Sequence, residues 1–184
     1  IPTRLQHHVE WLHWDDAAQE EMLTRPGELE ATTNKSSPTV TAPDLALICL
    51  SSKKITLALQ VLTKRQPKAL IILPYSDSEP DSLSLLPEIE AWAKAHHCLL
   101  LGPRAFGIQR PVRGLNLSRI PLVQGGKVAV VSQSRMILMS VLDWAAQSGV
   151  GVSTAVSTGE VRGVTLAEII EYLAGDSYTS SIVL

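Results

Sequence analysis

The feature that most constrains this chain is the stretch Lys127-Val128-Ala129-Val130-Val131-Ser132-Gln133-Ser134-Arg135, where an apolar run ends in hydroxyl residues and opens directly onto a helical pattern. A buried parallel strand followed at once by a helix leaves the first N–H groups of that helix without partners. Such an N-terminus attracts an anion through aligned dipoles and unpaired donors. The stretch therefore predicts an α/β fold with a phosphate-sized site beyond the strand.

Alternation after residue 42 extends the same reading. Leu45 to Leu50 and Ala69 to Leu73 are continuous apolar runs, as expected of strands buried on both faces of a parallel sheet, and Ile55, Leu59 and Leu62 between them repeat at helical spacing. Pro74 to Pro80 reads as a Ser/Asp/Pro loop. Leu83 to His97 follows as a helix with Leu86, Ile89, Trp92 and Ala93 on one face, then a short strand Cys98 to Leu101. From Gly102 to Gly126 the alternating pattern lapses into a glycine- and proline-punctuated crossing, which sets the expected domain boundary near residue 124.

Beyond that boundary the alternation resumes: strand Lys127 to Val131, helix Ser134 to Ser148, strand Val152 to Ser157, helix Thr165 to Ala174 and strand Ser180 to Leu184. Ile137, Leu138, Val141, Leu142 and Ala145 are the expected buried stripe, with Trp144 packing beside it, and Gly149 is the expected helix stop. Thr165 and Glu168 have capping-box spacing. In the first 40 residues, Val9 to Trp14 reads as a strand, Asp15 to Leu23 as a short helix and Glu30 to Pro43 as a polar connector.

Composition narrows the classes of function. A formal net charge of −2 over 184 residues gives no global attraction to nucleic acid, and no apolar run approaches the roughly 18 residues needed to span a bilayer. Hydrophobic residues make up 45% and charged residues only 18%, enough for one or two buried cores. Cys49 and Cys98 lie in apolar runs and read as small core hydrophobes, without the spacing of a zinc site. Unpaired cysteines and the absence of an export-type segment make the cytoplasm the expected compartment. A start at Ile1 and an end at Ile182-Val183-Leu184, inside a strand pattern, make a piece of a longer polypeptide the expectation.

Several segments carry a resemblance. Pro43-Asp44-Leu45-Ala46-Leu47-Ile48, Leu101-Gly102-Pro103, Gly114-Leu115-Asn116, Val130-Val131-Ser132-Gln133-Ser134, Leu142-Asp143-Trp144-Ala145 and Glu171-Tyr172-Leu173-Ala174 resemble, in order, landmarks of the NDP-forming acyl-CoA synthetases. That superfamily includes the succinyl-CoA synthetase alpha subunit and ATP-citrate lyase, and a similar region occurs in some bacterial protein lysine acetyltransferases. The resemblance implies an incomplete Rossmann-like CoA-binding domain, residues 1–124 with an atypical N-terminal part, followed by the start of a flavodoxin-like ligase domain, residues 125–184.

It also implies coenzyme A or an acyl-CoA as ligand, with the nucleotide left open, and further domains or a partner subunit as partners. Ligands of open α/β sheets bind beyond the carboxyl ends of the strands, so the loops Ser51 to Lys54, Pro74 to Ser78, Gly102 to Gly107 and Ser132 to Arg135 are expected to converge. The candidate ligand or phosphate residues are Ser51, Ser52, Lys53, Gly102, Pro103, Arg104, Ser132, Gln133, Ser134 and Arg135. No catalytic residue and no metal ligand is assigned within the chain.

Departures from the family pattern separate ancestry from turnover. Arg135 stands where the resemblance implies Gly, and Arg104 where it implies Asn, so two cations flank the expected anion site while backbone approach becomes tighter. The only early glycine is Gly27, leaving no glycine-rich loop before Pro43, and none of His7, His8, His13, His96 or His97 lies in a matching motif for a phosphohistidine. Three functions follow as alternatives: a CoA-binding sensor or scaffold module of a larger protein such as an acetyltransferase, part of an active ADP- or GDP-forming acyl-CoA ligase with its histidine supplied from elsewhere, or a ligand-free structural domain.

Overall fold

Three short apolar runs build the first sheet. A computed structural model describes residues 42–73, 84–159 and 163–184; the elements expected at 9–14, 15–23 and 74–80 and the histidines at 7, 8 and 13 lie outside these. β1 (Leu45–Ile48), β2 (Ala69–Ile72) and β3 (Leu99–Leu101) form a parallel sheet in that order, with Leu47 opposite Ile71 and Ile71 opposite Leu101. The crossovers are α1 (Ser52–Arg65) and α2 (Leu86–Ala95). Successive right-handed crossovers running in one direction place both helices on one face, where Ile55, Leu59, Leu62 and Ile89 are buried.

The opposite face of this sheet is only partly covered. Ile71, Leu73 and Leu101 enter a core shared with the second sheet, whereas Leu45 and Leu47 of the edge strand and Leu99 remain exposed. The expectation that Leu45 to Leu50 is buried on both faces is therefore corrected: β1 pairs on one side only and ends at Ile48. Cys49 falls beyond that end and is exposed, against the expectation of core packing, while Cys98 is buried and its thiol is pushed up by that burial.

The second sheet has five strands in the order β5-β4-β7-β6-β8, formed by β4 (Gly107–Arg110), β5 (Leu115–Ser118), β6 (Gly125–Ser132), β7 (Val152–Ser157) and β8 (Ser181–Val183). β6 is parallel to both β7 and β8, so β7-β6-β8 runs in the 2-1-3 order that begins a flavodoxin-like sheet. Helices α3 (Arg135–Gln147) and α4 (Leu166–Ala174) supply the crossovers and lie on opposite faces. This is the mixed α/β class that the alternation predicts.

The crossing at 102–126 differs from expectation. It contains the antiparallel hairpin β4–β5, and β4 also pairs antiparallel with β7, so residues before 125 join the sheet formed by residues after it. The fully buried Gln109 explains how a glycine- and proline-punctuated segment holds its shape. Its amide donates to Ser118 Oγ at 2.9 Å and to the Pro121 carbonyl at 3.0 Å, and its own oxygen accepts the Val123 N–H at 3.2 Å.

On α3, Leu138, Leu142 and Ala145 are buried against Val130, Val152 and Ala155, but Ile137 and Trp144 are 61% and 60% exposed. The expected five-residue stripe is thus narrower: at about 100° per residue, positions 137 and 144 turn well away from the 138–142–145 line. They border a shallow apolar depression with Met136, Ser140 and Val141. The helix stops as expected, with Val150 N–H returning to the Ala145 carbonyl across Gly149 at 2.9 Å. Thr165 and Glu168 form the reciprocal capping box at the start of α4.

Candidate functional site

Parallel strands deliver their following loops to one edge, and at the carboxyl edge three loops meet. After β6, the Ser132 Oγ accepts the Ser134 N–H at 3.1 Å, and the Ser134 Oγ caps α3 by accepting the Ile137 N–H at 3.3 Å. After β7, the Thr158 N–H donates to the Ser132 carbonyl at 3.1 Å and the Ser157 hydroxyl donates to the Gln133 carbonyl at 3.4 Å. After β3, the Gly102–Phe106 loop reaches this junction through Gly159, whose α-carbon sits against Pro103 and Ala105. Residues 102–105, 132–134 and 157–159 are therefore one connected surface.

Two glycines make the close approach. Gly102 has φ +95 and a Cβ there would collide with the carbonyl oxygen of Ile72 on β2. Gly159 has φ +66, and a Cβ would lie 2.8 Å from the Pro103 carbonyl oxygen. Only glycine meets both the left-handed backbone and the absence of space. Arg104 also has a positive φ, 65°, a region that Asn tolerates better than most residues, which gives a physical reason for the Asn that the resemblance implies there.

Each sequence-predicted site residue can now be placed. Gly102 and Pro103 are buried, and Arg104 is half-buried in the same loop. Gln133 is exposed, Ser132 and Ser134 are half-buried, and Arg135 occupies the first turn of α3, which carries no acidic residue. Ser51 precedes α1 without a side-chain cap, Ser52 is buried and Lys53 exposed. These last three lie at the carboxyl edge of the first sheet, but β2 separates β1 from β3, and two strand spacings amount to about 10 Å. The structure joins the 102–104 and 132–135 groups and leaves 51–53 beside them.

Ser157 and Thr158 are site residues that sequence reasoning missed. Both are buried polar residues at the end of β7, and the signal for them was the strand end itself, since it lies at the same edge as the end of β6. What the arrangement offers is a helix N-terminus with its positive dipole end, flanked by hydroxyls and by Arg104 and Arg135, all suited to a negatively charged ligand. Among the described residues no group of three or more His, Cys, Asp or Glu could hold a metal ion. No helix among them is long and apolar enough to cross a membrane.

The fold is that of an α/β protein with a flavodoxin-like second sheet, and comparison with known proteins agrees. Residues 125–184 match the family described as succinyl-CoA ligase like flavodoxin domain. The ADP-forming acetate–CoA ligase I of Archaeoglobus fulgidus is 26% identical over 145 residues, covering 77% of this chain and 21% of that protein. The ADP-forming acetate–CoA ligase of Methanocaldococcus jannaschii is 29% identical over 143 residues, covering 77% and 20%.

Among solved structures, the dinucleotide forming acetyl-coenzyme A synthetase 1 of Ca. Korarchaeum cryptofilum, in complex with phosphate and ADP, superposes with a TM-score of 0.70 at 23% identity. That match covers 82% of this chain and 32% of that one, and bears on the fold alone. Residues 125–184 are thus similar to the succinyl-CoA ligase flavodoxin-like domain, and the chain as a whole is similar to NDP-forming acyl-CoA synthetases. It spans about a fifth of the length of these two curated relatives.

Proposed function

We propose that this chain is a CoA- or acyl-CoA-binding module of the NDP-forming synthetase type, acting as a sensor or scaffold part of a larger protein, such as an acetyltransferase, in the cytoplasm. The observation that carries the reading is the welded carboxyl edge, where Thr158 N–H to Ser132 and Gly159 against Pro103 bring two loops to the capped N-terminus of α3. The domain division at residues 124 and 125 belongs to this proposal, with the β4–β5 hairpin reaching across it. Arg104 and Arg135 favour holding an anion over releasing it in a turnover cycle, because a fixed guanidinium stabilises the bound charge as firmly before reaction as during it.

Calorimetric titration of the folded chain with CoA and acetyl-CoA tests this reading. Saturable heat at millimolar ligand or below supports it, and a folded sample that gives none overturns it. Arg135→Gly fixes the role of the arginine. Charge-assisted contacts are typically worth about 1.5–3 kcal/mol, so affinity should fall by about tenfold or more if Arg135 holds the ligand. A gain in affinity would mean that the side chain obstructs the phosphate.

A second reading is that the module is part of an active ADP- or GDP-forming acyl-CoA ligase, with a phosphohistidine supplied from outside this chain. The names of both curated relatives favour it. Acyl-CoA formation from acid, CoA and nucleoside triphosphate by the complete parent protein would establish it, and its absence with all segments present would reject it. In a ligand-free structural domain, by contrast, neither Arg135→Gly nor Ser134→Ala would change any binding.

A further inference from the structure

Toward the amino edge of the second sheet, where β4 runs away from the ligand edge with Gly107 opposite Ser157 and Arg110 about 10 Å further along, arginines and tyrosines gather from three parts of the chain. Arg110, at the end of β4, donates through Nη2 to Asp176 at 2.6 Å and through Nη1 to the Tyr172 hydroxyl at 2.5 Å. Its guanidinium lies 5.6 Å from the Tyr172 ring centroid and 5.9 Å from that of Tyr178. Arg113, three residues on, stacks over the same Tyr178 ring at 4.9 Å.

These groups differ in how fully they are used. Arg110 and Asp176 are largely buried and satisfy each other. Arg113 is exposed and, among the described residues, faces no carboxylate; its contact is the aromatic face of Tyr178, which engages none of the guanidinium N–H donors in an ion pair. The Tyr172 oxygen accepts from Arg110, so its own hydrogen remains to be donated. Glu171, the next residue on α4, projects about 100° around the helix from Tyr172. Two guanidinium groups against one carboxylate leave a local charge of +1 on a chain whose net charge is −2.

We propose that Arg113, Tyr178 and Tyr172 form a docking surface for an acidic polypeptide segment, in which a carboxylate meets the stacked guanidinium and a neighbouring apolar side chain covers the tyrosine rings. One surplus positive charge matches a carboxylate better than a phosphate dianion. A free small carboxylate would gain little, since an exposed ion pair is worth only about 0–1 kcal/mol. The tyrosines, 61% and 38% exposed, contribute only when a larger surface excludes water from them. Tyr and Arg are also the residues that dominate protein interfaces. The surface is independent of the CoA reading, because it lies at the opposite edge.

The test uses the whole chain and nuclear magnetic resonance of the Arg113 side-chain Nε–H and the Tyr178 amide. Titrants are the peptide acetyl-Glu-Phe-Glu-Leu-amide, its Gln counterpart, acetate and inorganic phosphate. The acidic peptide should give saturable shifts, with affinity at least about tenfold lower for the Gln peptide and for Arg113→Gln. Arg113→Lys, which keeps the charge but loses the planar stack, should bind more weakly than wild type. Equal binding of the two peptides, undiminished binding by Arg113→Gln, or no shift with the acidic peptide at millimolar concentration overturns the proposal. So does acetate or phosphate binding more tightly than the peptide, which would make this a small-anion site.

Discussion

The two edges of the five-stranded sheet are built by opposite means. At the carboxyl edge, loops meet through backbone hydrogen bonds and glycine contacts, with few side-chain partners: Thr158 N–H on Ser132, Gly159 on Pro103, Gly102 on Ile72. At the amino edge, side chains make the junction, with Asp176 taking hydrogen bonds from Arg110 and from the Thr179 hydroxyl, and Thr179 in turn paired with Ser153 at 2.8 Å. Backbone fit, rather than a side-chain network, brings the Ser132 and Ser134 hydroxyls to the first edge. The side-chain network at the second has consumed most of its polar groups in binding β4 to the turn before β8.

The largest effect expected from this contrast is at Gly102. Gly102→Ala adds a Cβ into the Ile72 carbonyl at a φ of +95, and the combined strain and collision should cost about 4 kcal/mol or more. Denaturant unfolding at pH 7 and at pH 3 would measure it. Since no titrating group is involved, the loss should be the same at both. A loss that varies with pH would mean that charge also holds the carboxyl edge together.

The amino edge should behave in the reverse way. Burial alone would raise the Asp176 carboxyl, but hydrogen bonds from Thr179 and Arg110, the Arg110 charge and the Tyr178 N–H outweigh it and hold the group below its ordinary 3.8. A depressed carboxylate contributes stability that is complete above the unfolded value and is lost as pH falls through the lower folded value. Asp176→Asn, which leaves Arg110 without its counter-charge, should therefore cost about 3 kcal/mol at pH 7 and progressively less below pH 3.8. A difference between variant and wild type that stays constant down to pH 2.5 would show that packing rather than charge makes this junction.

The contrast also explains which parts of the molecule could be read from the sequence. Runs such as Ala69 to Leu73 announce their strands because burial on two faces demands continuous apolar residues, and the capping box of α4 was visible because Thr165 and Glu168 are local partners three residues apart. The β4–β5 hairpin was not visible. Gly107-Ile108-Gln109-Arg110 is four residues long, its partner β7 lies far along the chain, and its central buried residue is a glutamine whose bonds reach to Val123.

For the same reason Arg110 and Asp176, 66 positions apart, gave no joint signal, and neither did Ser157 and Thr158 as neighbours of the Ser132 loop. In β1, composition suggested more burial than topology supplies, because an apolar run does not reveal that its strand has a partner on one side only. Local periodicity finds the elements. Edge positions and long-range polar contacts depend on which elements become neighbours.

The smallest expected effect separates capping from ligand contact at the carboxyl edge. Ser134→Ala removes the acceptor for the Ile137 N–H and should cost about 1 kcal/mol of stability, comparable to Thr165→Ala at the capping box of α4. The two differ in place: Ser134 lies on the connected surface with Thr158 and Pro103, and Thr165 caps a different helix. If the edge takes the phosphate of CoA, Ser134→Ala should weaken CoA by about threefold or more through its lost hydroxyl, and Thr165→Ala should not. Equal CoA affinities in the two variants, at equal stability loss, would reduce Ser134 to a helix cap and leave Arg104 and Arg135 as the groups that could draw an anion there.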